Sequence, residues 1–119
     1  MVEEQMDRTA YMQTIWFIRR YWDFQEEYEQ ILEESRTNTG IRGSGMSNPT
    51  AIKAERLANV KQEIDTIENA LKIVPPEYQK GVLLSIIAKR PYPSNAAVRT
   101  YKKWKRRFIY AVAVNKGWI

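Results

Sequence analysis

One short stretch near the C-terminus is dense in cations, among them Arg99, Lys102, Lys103, Arg106 and Arg107. Advanced as a helix at about 100° per residue, these named residues fall within an arc of about 140°. Val98, Tyr101, Trp104, Phe108 and Val112 fall within an arc of about 120° on the other side. One face of such a helix enters a core, and nothing nearby in sequence neutralises the other. A helix of this kind is suited to lying on a polyanion while anchored from behind. The same residues could form a solvated face, as charge runs usually do, but no acid follows Glu77 to pair with them. Tyr101, Trp104 and Phe108 could form a stacking platform for single strands. Their i, i+3, i+7 spacing favours core packing instead.

Contacts from such a face go mainly to phosphates, which position a protein without reading sequence. The N-terminal part of the helix is where base edges would be read, so Asn95, Arg99 and Lys102 are the candidates for that role. Lys89 and Arg90, beside the preceding turn, would clamp the flanking backbone. The expected DNA-contacting set is therefore Lys89, Arg90, Asn95, Arg99, Lys102, Lys103, Arg106 and Arg107.

Composition narrows the alternatives. The chain has 119 residues, enough for one domain with a core that needs no staples. It has no cysteine and no histidine, which removes disulfides, thiolate metal sites and the commonest general base. No nucleophile-plus-base arrangement is present, so an enzyme is the weakest reading and no cofactor is expected. Glu26, Glu27, Glu29, Glu33 and Glu34 lie along a helix with basic neighbours and read as a solvated face, not a metal site. The N-terminus lacks the pattern of a signal peptide, and no apolar run is long enough to span a bilayer; a cytoplasmic protein is expected.

Charge is unevenly placed. Residues 1–74 carry nine Lys/Arg against thirteen Asp/Glu, a net of −4. Residues 75–119 carry ten Lys/Arg against one acid, a net of +9. The division predicts an acidic helical arm over 1–74 and a basic region over 75–119.

The elements that must position the basic face follow in order. No Gly or Pro lies between about 4 and 35, and Tyr11, Ile15, Ile18 and Trp22 form a stripe resumed by Tyr28 and Leu32. That predicts one long amphipathic helix, with Trp16, Phe17, Tyr21 and Phe24 on its flanks. Residues 36–48 contain Gly40, Gly43 and Gly45 and read as a linker; a phosphate cradle would need a preceding strand and a following Gly-Lys-Ser/Thr. Asn48-Pro49 opens a second helix to about 74, with a heptad seam of Leu57, Val60, Ile64, Ile67, Leu71 and Val74. The seam fits a hairpin with the first helix, or a dimer zipper. Pro75-Pro76 stops it, a third helix runs to about 89, and Pro91-Tyr92-Pro93 forces a turn. Ser94 or Asn95 would cap the basic helix, expected over 95–115, and Gly117 would end it, with Trp118-Ile119 folding back on the core. The expected fold is all-α: a helical hairpin followed by a helix-turn-helix-like pair whose last member is a basic recognition helix.

Three pieces carry a resemblance to a known family. They are GSGMSNPT at 43–50, the heptad helix running into VPPEYQKGV at 74–82, and PYPSNAAVRTYKKWKRRFIYAVAVNKGWI at 91–119. Together they resemble the RinA-type phage regulators, late-gene transcription activators of phages and prophages of Gram-positive bacteria. The resemblance implies a helix-turn-helix similar to region 4 of bacterial sigma factors, binding to double-stranded promoter DNA in a host bacterial cell, and contact with host RNA polymerase. The sequence departs from that pattern in one respect: Pro91 to Asn95 leaves no room for a short middle helix between the packing and recognition helices. A homodimer is compatible with the many rings of the first helix. Two other classes share the all-α, basic character: a protein-interaction adaptor on RNA polymerase that leaves DNA untouched, and a small DNA-packaging subunit of terminase type.

Overall fold

In a computed structural model, residues 6–37 and 48–119 are described, with side chains for 6–34 and 51–119. Among these residues the chain forms five α-helices and no strand. The predicted linker lies almost entirely outside the described residues, as does the side chain of Asn48.

α1 (Arg8–Arg19) begins at Asp7, whose extended backbone lets its Oδ1 accept from the Ala10 N–H at 2.7 Å. That carboxylate satisfies an amide the helix itself leaves open. Thr14, fully buried, donates its hydroxyl to the Ala10 carbonyl at 2.7 Å, so its polarity is met within the helix.

The first expected helix is in fact two. It is interrupted at Arg20, whose N–H bonds back to the Phe17 carbonyl at 3.1 Å in a tight turn. α2 (Tyr21–Thr37) then starts, with the Phe24 N–H on the Arg20 carbonyl at 2.8 Å. The interruption changes which rings go inside. Ile15 and Ile18 are buried as expected, but Tyr11 and Trp22 are exposed. Phe17, Tyr21 and Phe24, expected on the flanks, belong to the core, as does Ile31. A stripe continued across the break loses its phase at Tyr21, Trp22 and Phe24, whereas Tyr11 and Phe17 precede it and are set by the packing of α1 on α4 and α5.

α3 (Asn48–Leu71) packs along α2 as an antiparallel partner within one chain. Its seam lies inside: Val60, Ile64 and Ile67 are buried, and Leu57 and Leu71 partly so. Each fully buried aliphatic chain contributes about 1.5–3 kcal/mol. Two surface ion pairs, Lys53–Glu34 and Arg56–Glu27, both at 3.8 Å, join α3 to acidic α2 and add about 0–1 kcal/mol each. α3 ends three residues before the expected limit. Its last turn tightens, with the N–H groups of Lys72, Ile73 and Val74 bonding three residues back, and Val74 is still buried.

Pro76 occupies the first turn of α4 (Pro76–Ile87), where its missing N–H costs nothing. Gln79 Nε2 donates to the Val74 carbonyl at 2.8 Å and fixes the junction. Val82 and Ile86 are buried; Tyr78, Leu83 and Ile87 pack against the core. The helix ends at Ile87, short of the expected 89, because Lys89 takes a left-handed φ of 54°. A side chain bears that conformation at a cost of about 1–2 kcal/mol.

α5 (Val98–Lys116) packs on α1, α3 and α4. Gly117 ends it as expected, at a φ of 75°. The Trp118 N–H reaches the Ala113 carbonyl at 2.9 Å and the Gly117 N–H reaches Val114 at 3.0 Å, a pairing that satisfies the last carbonyls. Trp118 turns inward with its ring edge on Phe17, centroids 5.6 Å apart, whereas Ile119 is half exposed. Val60, Ile64 and Ile67 from the first 74 residues and Val82, Tyr101 and Phe108 from the rest share one core cluster.

Candidate nucleic-acid interface

The connection of residues 88–97 carries turns and no helix, so α4 leads straight into α5. Neither Ser94 nor Asn95 caps α5. Ala97 occupies that position with no side-chain bond. Asn95 is engaged elsewhere: its Oδ1 accepts from the Tyr101 hydroxyl, and its Nδ2 donates to the Glu77 carbonyl at 3.5 Å. An amide held on both sides is a positioning group for the connection, not a side chain poised at a base edge.

Tyr101 is the hinge post of this region. It is fully buried, stacks on Tyr92 at 5.1 Å and 11°, and meets Tyr78 edge-on at 5.3 Å. Rings in these arrangements gain about 0.5–1.5 kcal/mol beyond area burial. The stack leaves no room on α4: a Cβ built on Gly81 would lie 2.7 Å from Tyr101 Cε1 and 2.8 Å from Pro93 Cδ. Glycine is there so that the connection and the tyrosine can press against the helix.

Behind the helix, Tyr101, Phe108, Ile109, Val112 and Ala113 are buried. Val98, expected inside, is exposed, because the first residue of α5 projects past the core that begins at Tyr101. Trp104 is half-buried against the core and covered from outside by two cations, Lys103 Nζ at 4.9 Å and Arg107 Cζ at 5.1 Å from its ring. Charges over an indole face are attracted by about 0.5–1 kcal/mol each at exposed sites.

In front, Arg99, Lys102, Lys103, Arg106 and Arg107 are all exposed along the first two-thirds of α5. Among the described residues no carboxylate pairs with Arg99, Lys102 or Lys103. Lys89 and Arg90 are exposed at the end of α4, and Arg90 lines a cleft with Glu77, Lys80 and Asn95. The last basic residue of α5 has a different task. Lys116 pairs with Glu63 at 2.8 Å and lies over the rings of Phe17 and Trp118, tying the helix end to α3 and α1.

Two neighbours of this face escape a charge-pattern reading. Lys105 falls inside the apolar arc of α5, between Val112 and Val98, and is half-buried there. Burial, and then the charges of Arg19 and Lys102, hold its ammonium below the usual lysine range. Arg19 comes from α1, anchored by its Nε on the Ile86 carbonyl at 3.0 Å, and no local signal in the sequence links it to α5.

Comparison with protein-family models, with curated proteins and with solved structures gives no match. No helix among the described residues is long and apolar enough to cross a membrane.

Proposed function

We propose that the chain is a DNA-binding transcriptional regulator of phage or prophage origin, acting at late-gene promoters. The observation that carries the reading is the flank of α5. Arg99, Lys102 and Lys103 are exposed and have no carboxylate partner among the described residues, on a helix clamped from behind by buried Tyr101 and Phe108. A rigid cationic ridge complements a duplex backbone, where phosphate contacts supply most of the affinity. The resemblance of residues 43–50, 74–82 and 91–119 to RinA-type activators points the same way.

With α4 running into α5 and no middle helix, the basic helix meets DNA mainly through phosphates. Arg99, in the first turn of α5, is the candidate to reach a base edge, and Lys89, Arg90 and Lys102 contact the backbone beside it. A second contact surface supports a protein partner, host RNA polymerase or another copy of the chain. Tyr11, Met12, Trp16 and Trp22 expose apolar surface on α1 and the start of α2. Selection of bound sequences from random duplex DNA tests the proposal. An enriched motif supports a specific regulator, and no retention of any duplex at low salt rejects it. A polymerase pull-down that survives nuclease, from a chain that retains no DNA, would favour the adaptor instead.

A further inference from the structure

One cleft on the surface joins cations to aromatic rings. It has a volume of about 270 Å³ and is lined by Tyr11, Tyr92, Lys102, Lys105 and Arg106. Three segments build it: α1 gives Tyr11, the connection gives Tyr92, and α5 gives the cations. Tyr92 is held in place by its stack on buried Tyr101. Arg19, fixed on the Ile86 carbonyl, adds its charge from α1. Among the described residues no carboxylate lines the cleft.

Gathering Arg19 and Lys102 around a half-buried lysine is unfavourable. An anion reverses the sign of that interaction. Small-molecule pockets run to roughly 300–1,000 Å³, so this one suits a single compact group and not an extended ligand. Ammonium and guanidinium groups are the usual partners of phosphate oxygens, and two phenols add neutral donors beside apolar walls.

We propose that this cleft seats one phosphate group, supplied by the backbone of the duplex lying on α5 or by a free phosphate compound. The duplex source rests on the function proposed above; the cleft itself does not. Lys102 and Lys105 hold the phosphate oxygens, and Tyr11 and Tyr92 wall it in. The interface is then composite, with α1 contributing to a contact that the basic helix alone would make more weakly.

The test uses the full chain with 15N-labelled lysines, observed by NMR. The Lys105 ammonium signal is assigned by its loss in Lys105→Arg. Its pKa is measured with duplex DNA, with inorganic phosphate, and with potassium chloride at matching ionic strength, while anisotropy of the labelled duplex reports binding in the same samples. A rise with the duplex supports the cleft and names the backbone as the source. A rise with inorganic phosphate alone supports the cleft with a free phosphate compound as its ligand. No rise with either probe overturns the cleft, and the anisotropy then states separately whether the duplex binds.

Discussion

The hydroxyl of Tyr101 donates to Oδ1 of Asn95, closing a bridge between the first turns of α5 and the connection that precedes it. Because Asn95 also reaches the Glu77 carbonyl, one amide relates α5 to α4. The direction in which the basic flank faces depends on that relation. Tyr101→Phe removes the donor and leaves Oδ1 open to water, at a cost of about 0.5–1.5 kcal/mol. Asn95→Ala should cost a similar amount. In a double-mutant cycle by urea denaturation the two losses should be less than additive.

Gly81→Ala tests the close approach of the connection to α4. Alanine is about 1 kcal/mol better than glycine within a helix. Here its methyl would meet Tyr101 Cε1 and Pro93 Cδ at under 3 Å, and the tyrosine is locked between two other rings. Overpacking costs about 1–3 kcal/mol and outweighs the helical gain. The expected result is a lowered unfolding midpoint; a raised one would show that the stack yields.

Tyr21 makes the corresponding polar link between α2 and α3, donating to Glu68 Oε2 at 2.6 Å. Burial, then that hydrogen bond and the charge of Glu68, push its phenol well above the ordinary value of 10.0. The folded state therefore keeps a proton that the unfolded chain releases. The stability this contributes is complete below about pH 10 and is lost as pH climbs toward the folded-state value. Tyr21→Phe should be less stable than the parent by about 1 kcal/mol at neutral pH. The gap should narrow above pH 10 in denaturation curves taken across that range.

Apolar spacing alone finds much of this fold. The α3 seam and the inward placement of Tyr101, Phe108 and Val112 are legible because each lies within one uninterrupted helix. The break at Arg20 is not legible, since no Gly or Pro marks it. As a result Trp22 is assigned to the core and Tyr21 and Phe24 to its margin; Tyr11 and Phe17 precede the break, and their exposure and burial follow from how α1 packs on α4 and α5. For the candidate site, the exposed cations of α5 follow from charge and period. Lys105 does not, because its phase is apolar. Arg19, Tyr11 and Tyr92 are joined to it only by the packing of α1 and the connection on α5. Asn95 reads as a helix cap or a base-edge candidate until Tyr101 and Glu77 are seen on either side.

The exposed flank of α5 carries the proposed interaction with DNA, and anisotropy of a labelled duplex titrated with the full chain across a series of salt concentrations measures it. Parent protein should give an affinity whose logarithm falls linearly with log salt, by about 0.9 per phosphate contacted. The double variant Lys102→Ala, Lys103→Ala should flatten that slope by about one per cation removed, with the helical signal in circular dichroism unchanged. Absence of binding at the lowest salt, or a slope identical in parent and variant, would rule out α5 as the DNA-contacting helix.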